Sequence, residues 1–286
     1  MGKRELLQID IAGILRKRIP ASKRRFIPGF LYKLLAKTIH QDELNEMLRY
    51  AYPHTGSAFA EKILTHLDID IDIVGEENIP ALGERVVFAS NHPLGGLDGI
   101  ALIAALGKHY GDDNIRFMVN DLLMNVEPLS NVFIPINKYG SQARTSSEAI
   151  DREFSSERQI LIFPAGLVSR LHKGGTVRDL EWQKAFVKKA IKHSRDIVPV
   201  RFVALNRPRF YRLARLRKKL GIKVNLEQAT LPAELCASRG KHFRIIIGKK
   251  IGVSELTESG KNAKTLATEL RDRIYSLHPA EKLGND

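Results

Sequence analysis

The chain has 286 residues, 43% of them hydrophobic, which is enough for one large domain or two small ones with a substantial core. Lys and Arg number 46 against 32 Asp and Glu, a formal charge of +14 that favours anionic partners: nucleic acid, lipid headgroups or an acidic carrier protein. Cys236 is the only cysteine, which excludes an intrachain disulfide and a cysteine-rich metal site. No apolar run nears the roughly 20 residues of a membrane-spanning helix. The first ten residues lack the apolar core and small-residue cleavage site of a signal peptide, so the expected location is the cytoplasm, with membrane contact at the surface.

Residues 4–50 read as helical, basic and amphipathic. Phe30, Leu31, Leu34, Leu35 and Thr38 recur at helical spacing among Arg16, Lys17, Arg18, Lys23, Arg24, Arg25, Lys33 and Lys37, and Pro20 and Pro28 divide the stretch into short helices. It is either an interfacial membrane anchor or a helical pair packed on the main core with a solvated basic face. Residues 1–66 are therefore set apart as an N-terminal amphipathic segment.

From residue 67 the period changes. Residues 68–73 alternate acidic and apolar, the mark of a half-buried strand, and apolar strand candidates recur at 86–89, 115–119, 132–136, 159–163, 197–204 and 243–247. Helical patterns fall at 97–106, 143–153, 180–193, 209–220 and 261–277. Strands alternating with helices predict one α/β domain over 67–286, a largely parallel mixed sheet flanked by helices.

One segment carries most of the chemistry: Asn91, His92, Pro93, Leu94, Gly95, Gly96, Leu97 and Asp98, between the strand at 86–89 and the helix at 97–106. Ligands of α/β sheets bind beyond the carboxyl ends of strands. On a continuous helix His92 and Asp98 would point to different faces, but glycines at 95 and 96 let the chain fold back and bring them together. A carboxylate beside an imidazole fixes its tautomer and stabilises its cation, which prepares the histidine to take a proton from a hydroxyl. The same pair also fits a blander role, with Asp98 as a first-turn acid complementing the helix dipole and His92 as a hydrogen-bonded strand-end residue.

Further candidate strands end in useful groups. Lys138 follows Phe133, Ile134, Pro135, Ile136 and Asn137; Pro164 and Gly166 stop the strand at 159–163, and Arg170 follows; the strand at 197–201 is broken by Pro199. Lys138 and Arg170 are each either solvated surface cations or ligands for an anionic group.

In this order the segments resemble the four blocks of the glycerolipid (lysophospholipid, PlsC-like) acyltransferase superfamily. They look most like a bacterial branch labelled glycerol acyltransferase or hemolysin-like, with a likeness that continues through Asp179 and Trp182 into the basic helix after Arg207. The resemblance implies transfer of a fatty acyl group from acyl-carrier protein or acyl-CoA to a hydroxyl of a lyso-lipid acceptor. It makes His92 the general base and Asp98 its partner, and it puts Asn91, Gly95, Gly96, Lys138, Pro164, Gly166 and Arg170 in the substrate-binding set. No cofactor or metal is implied. Two departures from the family pattern matter. The interval from His92 to Asp98 is one residue longer than usual, and Ala165 and Val168 stand where a glutamate and an arginine normally bind glycerol phosphate. A lysophosphatidic acid acceptor of phospholipid synthesis is the alternative; an acceptor with one anionic group, such as an N-acyl amino acid bearing a 3-hydroxyl, needs fewer cations.

The helix after Arg207 crowds Arg209, Arg212, Arg215, Arg217, Lys218 and Lys219 around Phe210, Leu213, Leu216 and Leu220, and 180–193 repeats the theme with Lys184, Lys188, Lys189 and Lys192. Such faces suit an anionic membrane surface or an acidic carrier protein, or are simply solvated. The expected location is accordingly cytoplasmic and peripheral, on the inner face of the cell membrane. Nucleic acid is not an expected partner, because aromatics are 7% of the chain and are not interleaved with the basic runs. A membrane-lytic protein would need a spanning segment or alternating barrel hairpins, and neither pattern is present.

Overall fold

The computed structural model describes residues 6–18, 28–120, 123–124, 126–136 and 142–278; Lys138, Pro20, Lys23, Arg24 and Arg25 lie outside them. The strands are β1 (Asp70–Val74), β2 (Val86–Ser90), β3 (Ile115–Asn120), β4 (Phe133–Ile136), β5 (Gln159–Ile162), β6 (Arg170–Leu171), β7 (Val177–Arg178), β8 (Asp196–Val203) and β9 (His242–Ile247). The α-helices are α1 (Ile11–Arg18), α2 (Gly29–Thr38), α3 (Gln41–Ala51), α4 (Gly56–His66), α5 (Leu97–Tyr110), α6 (Gln142–Ser155), α7 (Ala185–Lys192), α8 (Pro208–Lys219), α9 (Leu231–Cys236), α10 (Val253–Glu258) and α11 (Ala263–Ser276).

Seven strands form one sheet in the order β1-β9-β8-β2-β5-β3-β4, and β6 and β7 pair separately as a small antiparallel ribbon. Within the sheet only the β8–β9 pairing is antiparallel; the others are parallel, as the alternating pattern predicts. β2 lies near the middle and is buried along its whole length. Its alternation splits the core: Val86 and Phe88 join the cluster under α3, α4 and α5, while Val87 and Ala89 join the one under α6, α7, α10 and α11.

Pro199 does not break β8, contrary to the sequence expectation. The β8–β9 ladder runs from Val200↔Ile247 to Val203↔Arg244 and resumes only as an isolated bridge at Ile197↔Ile251. Pro199 falls in that gap, opposite Gly248, and so removes no ladder bond. A Cβ on Gly248 would lie 2.9 Å from the Pro199 ring. The helix expected over 180–193 starts only at Ala185, because the residues before it are drawn into the site described below.

The N-terminal stretch behaves as two parts. Met47, Leu48 and Ala51 of α3 and Phe59, Ala60, Ile63 and Leu64 of α4 are buried in the same cluster as the sheet. Ile14 of α1 and Phe30, Leu31 and Leu34 of α2 stay exposed. Between β8 and β9 the chain makes an excursion over 204–241, made of α8, a 3-10 turn at Leu226–Thr230 and α9, and α9 packs on α3.

Candidate active site

β5 and β8 flank β2 in parallel, so the three strands end on one side of the sheet. The turn after β2 is held between the segments that follow β5 and β8. Asn91 fixes its start: its side-chain NH₂ donates to the Phe202 carbonyl at 2.9 Å, and its Oδ1 accepts from the Phe202 N–H at 2.7 Å. This peptide-like pairing prolongs the β2–β8 ladder. The Asn91 side chain therefore braces the turn instead of facing a substrate, which corrects the binding role expected from sequence.

Asp98 is the second residue of α5 and folds back over the turn. Its Oδ2 lies 3.0 Å from His92 Nδ1 and accepts from the Leu94 N–H at 2.9 Å and the Gly95 N–H at 3.3 Å, while Oδ1 accepts from the Gly99 N–H at 3.0 Å. The longer His–Asp interval is absorbed at Gly95, whose φ of +92° belongs to the glycine region. A Cβ there would also come within 2.8 Å of Leu231 on α9. Gly96 has an ordinary φ of −118° and open space around it, so it contributes nothing that only glycine could.

Burial alone would raise the carboxyl pKa of Asp98. The charge and hydrogen bond of His92 and the amides of Leu94 and Gly95 outweigh that and leave it below the ordinary value. An ionised carboxylate only accepts, so Nδ1 carries the shared hydrogen, and in the neutral form of the ring Nε2 keeps a lone pair. The ring lies flat against Phe163 at 4.0 Å between centroids and 19° between planes, and Phe163 in turn meets Phe117 edge-on at 5.1 Å. The His92 side chain is 14% exposed and Asp98 is fully buried.

The family model described as Acyltransferase matches residues 13–282. The chain belongs to this acyltransferase family. Among curated relatives, the lyso-glycine lipid O-acyltransferase of Phocaeicola vulgatus is 43% identical over 269 residues, covering 94% of this chain and 95% of that protein. The lyso-glycine lipid O-acyltransferase of Bacteroides thetaiotaomicron is 41% identical over 272 residues, covering 95% of this chain and 98% of that protein. Among solved structures, the 1-acyl-sn-glycerophosphate (LPA) acyltransferase PlsC from Thermotoga maritima matches with a TM-score of 0.44 at 11% identity, over 86% of this chain and 96% of that chain.

Not every residue expected in the site of this acyltransferase is free to bind a substrate. Arg170 is the main correction. Its guanidinium donates to Glu227 Oε1 at 2.8 Å and to the Val168 carbonyl at 2.9 Å, and it lies over the Phe210 ring. Burial lowers its pKa while Glu227 partly restores it. Glu227 is itself fully buried and also meets Arg217 Nε at 2.9 Å. Arg170 is thus held in place by a carboxylate that it shares with Arg217, and its guanidinium is engaged structurally.

Pro164 and Gly166 form the turn after β5: the Pro164 carbonyl accepts from the Gln183 N–H at 2.9 Å, and the Gly166 N–H donates to the Phe163 carbonyl at 3.0 Å. Gly166 has a φ of +63° and is exposed. Ala165 packs into the cluster under α6 and α7, and Val168 packs with Phe210 and Tyr211, so the two positions where the resembled pattern carries charge are apolar contacts here.

Sequence reasoning missed a group around the His92 backbone. The His92 N–H donates to Asp179 Oδ1 at 3.2 Å, and the His92 carbonyl accepts from the Ser169 N–H at 2.8 Å. Beside them, Asn206 donates from Nδ2 to the Pro93 carbonyl at 2.9 Å. The available signal in the sequence is the branch likeness at Asp179 and Trp182.

Proposed function

We propose that this acyltransferase moves a fatty acyl group from an acyl thioester, on acyl-carrier protein or CoA, to the hydroxyl of a lyso-aminolipid, an N-acyl amino acid of the lyso-glycine lipid type. The observation that carries the chemistry is the buried His92–Asp98 pair at the carboxyl edge of the sheet. Nε2 of His92 takes the proton of the acceptor hydroxyl as its oxygen attacks the thioester carbonyl. The tetrahedral adduct then expels the thiolate, and the imidazolium returns the proton to it, giving an ester and a free thiol. Asp98 stabilises the imidazolium between those steps.

The acceptor class rests on two nearly full-length relatives and on the apolar residues Ala165 and Val168 where a phosphate-binding pattern would carry charge. Lys138 is the cation proposed to meet the acceptor carboxylate. Gly95, Pro164 and Gly166 shape the pocket through their turns.

The partner surface is an anionic bilayer, met peripherally from the inner face of the cell membrane, where acyl thioesters are available. No helix among the described residues is long and apolar enough to cross a membrane. Ile14, Phe30, Leu31 and Leu34 supply exposed apolar area at the N-terminus. In the excursion between β8 and β9, Leu216, Leu220, Ile222, Val224 and Leu226 are exposed beside Arg212, Arg215, Lys218, Lys219 and Lys223. Apolar burial and attraction to headgroups combine at such surfaces.

The test is mass spectrometry of total lipids from cells with the gene deleted. The diacylated aminolipid should disappear and its hydroxyl-bearing monoacyl form accumulate. Unchanged aminolipids with depleted phosphatidic acid would overturn the assignment.

A further inference from the structure

Asp179 is 1% exposed and accepts hydrogen bonds on both oxygens: at Oδ1 from the His92 N–H at 3.2 Å and the Ser169 hydroxyl at 2.5 Å, and at Oδ2 from the Trp182 indole at 2.9 Å. Since the Ser169 N–H also donates to the His92 carbonyl at 2.8 Å, the three residues close a ring of hydrogen bonds. Both polar atoms of the His92 main chain are held in it. The Asp179 N–H donates to the Tyr275 hydroxyl at 2.7 Å, which ties the ring to α11, and Trp182 is buried with Phe186 in the core cluster under α7. The base is therefore gripped from two sides: the ring nitrogen by Asp98, the backbone by Asp179 and Ser169.

A carboxylate shut away from water normally has a cation beside it. Among the described residues Asp179 forms no ion pair. Arg178 is paired with Asp272 and lies over the Tyr275 ring, and Arg201 donates to the carbonyls of Tyr275 and Leu277. Burial raises the Asp179 carboxyl pKa, and the bonds from Ser169, Trp182 and His92 together with the His92 charge only partly offset that. Arg271 of α11 donates to the Leu180 carbonyl at 3.4 Å and is paired with Asp272, and Tyr275 is pushed up to about 12 by burial. A positive charge on the His92 ring is thus the countercharge nearest to hand for Asp179.

Resting on the assignment of His92 as the base, we propose that Asp179 is a positioning residue for it: Asp179 and Ser169 lock the His92 main chain, and the Asp179 carboxylate stabilises the imidazolium that forms as the acceptor hydroxyl gives up its proton. Charge placed in advance where charge develops lowers the barrier without reorganisation during the reaction. Asp179 touches neither substrate nor the reacting atoms; it acts through His92.

The experiment compares purified full-length Asp179→Asn, Ser169→Ala and His92→Ala in steady-state kinetics across pH. Asp179→Asn keeps the shape and removes the charge. With unfolding temperature near that of the parent, its kcat should fall on the order of 10–100-fold while the acceptor KM moves less than about threefold, because positioning acts on the transition state. The acid limb of its kcat/KM profile should move to lower pH, since losing a nearby negative charge weakens the hold of His92 on its proton. Ser169→Ala opens the same ring without altering a buried charge and should lose kcat in the same direction by less. A folded Asp179→Asn with parental kcat and an unmoved acid limb would overturn the proposal; should that variant not fold, parental kcat in Ser169→Ala would do the same. An active His92→Ala would instead overturn the base assignment itself, so the two failures are distinguishable.

Discussion

The turn at His92 and the excursion between β8 and β9 are both polar stretches of a basic chain, and the fold handles their charges differently. At the turn, each oxygen of Asp98 accepts at least one hydrogen bond, and the His92 backbone is held by Asp179 and Ser169. In the excursion, two buried acids neutralise only part of the charge: Glu227 takes Arg170 and Arg217, and Glu234 takes Arg207 and Arg209. Arg212, Arg215, Lys218, Lys219 and Lys223 form no ion pair among the described residues and sit next to exposed Leu220 and Val224, 63% and 68% accessible. The contrast separates two uses of charge. Where it is buried and fully bonded it fixes the geometry of the turn; where it is left over beside apolar surface it stays open to solvent.

The comparison breaks first at the turn. His92→Ala should lower acyl transfer by about 10²–10⁴-fold with the fold intact by circular dichroism, the usual cost of removing a general base, and Asp98→Asn should approach it through the wrong tautomer. Near-parental turnover in a folded His92→Ala would return His92 to a structural role.

In the excursion the expected effects are smaller and fall on docking, not chemistry. Replacing Lys218 and Lys219 by Gln should weaken binding to anionic vesicles at low salt roughly 30-fold, at about 1 kcal/mol per basic residue, with the difference fading as salt rises. Leu220→Ser with Val224→Ser should cost less, roughly tenfold, and this loss should persist at high salt because apolar burial is not screened. Vesicle sedimentation reads both. Binding indifferent to anionic lipid would hand the basic face to another partner, with an acidic acyl-carrier protein as the next candidate.

Much of this contrast was legible in the sequence, for reasons that also explain what was not. The strand at 86–89, the glycine-bearing turn and the helix from Leu97 are local patterns, and the pairing of His92 with Asp98 needed only a chain reversal that Gly95 supplies. The fate of Arg170 was not legible, because its partner Glu227 lies 57 positions away in a stretch that reads as basic. Asp179 is 87 positions from His92 and meets it only because β5 and β2 are neighbours in the sheet. The helix start at Ala185 follows from the same cause, since Asp179 and Trp182 bond to each other and leave the helical path before it. Net charge counted all these cations alike; the fold distinguishes the paired from the unpaired.

The most direct measurement is a competition in one vessel: purified enzyme, one labelled acyl thioester, and equal amounts of a lyso-glycine lipid and lysophosphatidic acid, with both products quantified by mass spectrometry. A site with Ala165 and Val168 in place of phosphate-binding charge should give the aminolipid acceptor a specificity constant at least about tenfold higher, because a phosphate there is left without its partners. Equal constants, or a preference for lysophosphatidic acid, would contradict the account and assign the enzyme to phospholipid synthesis.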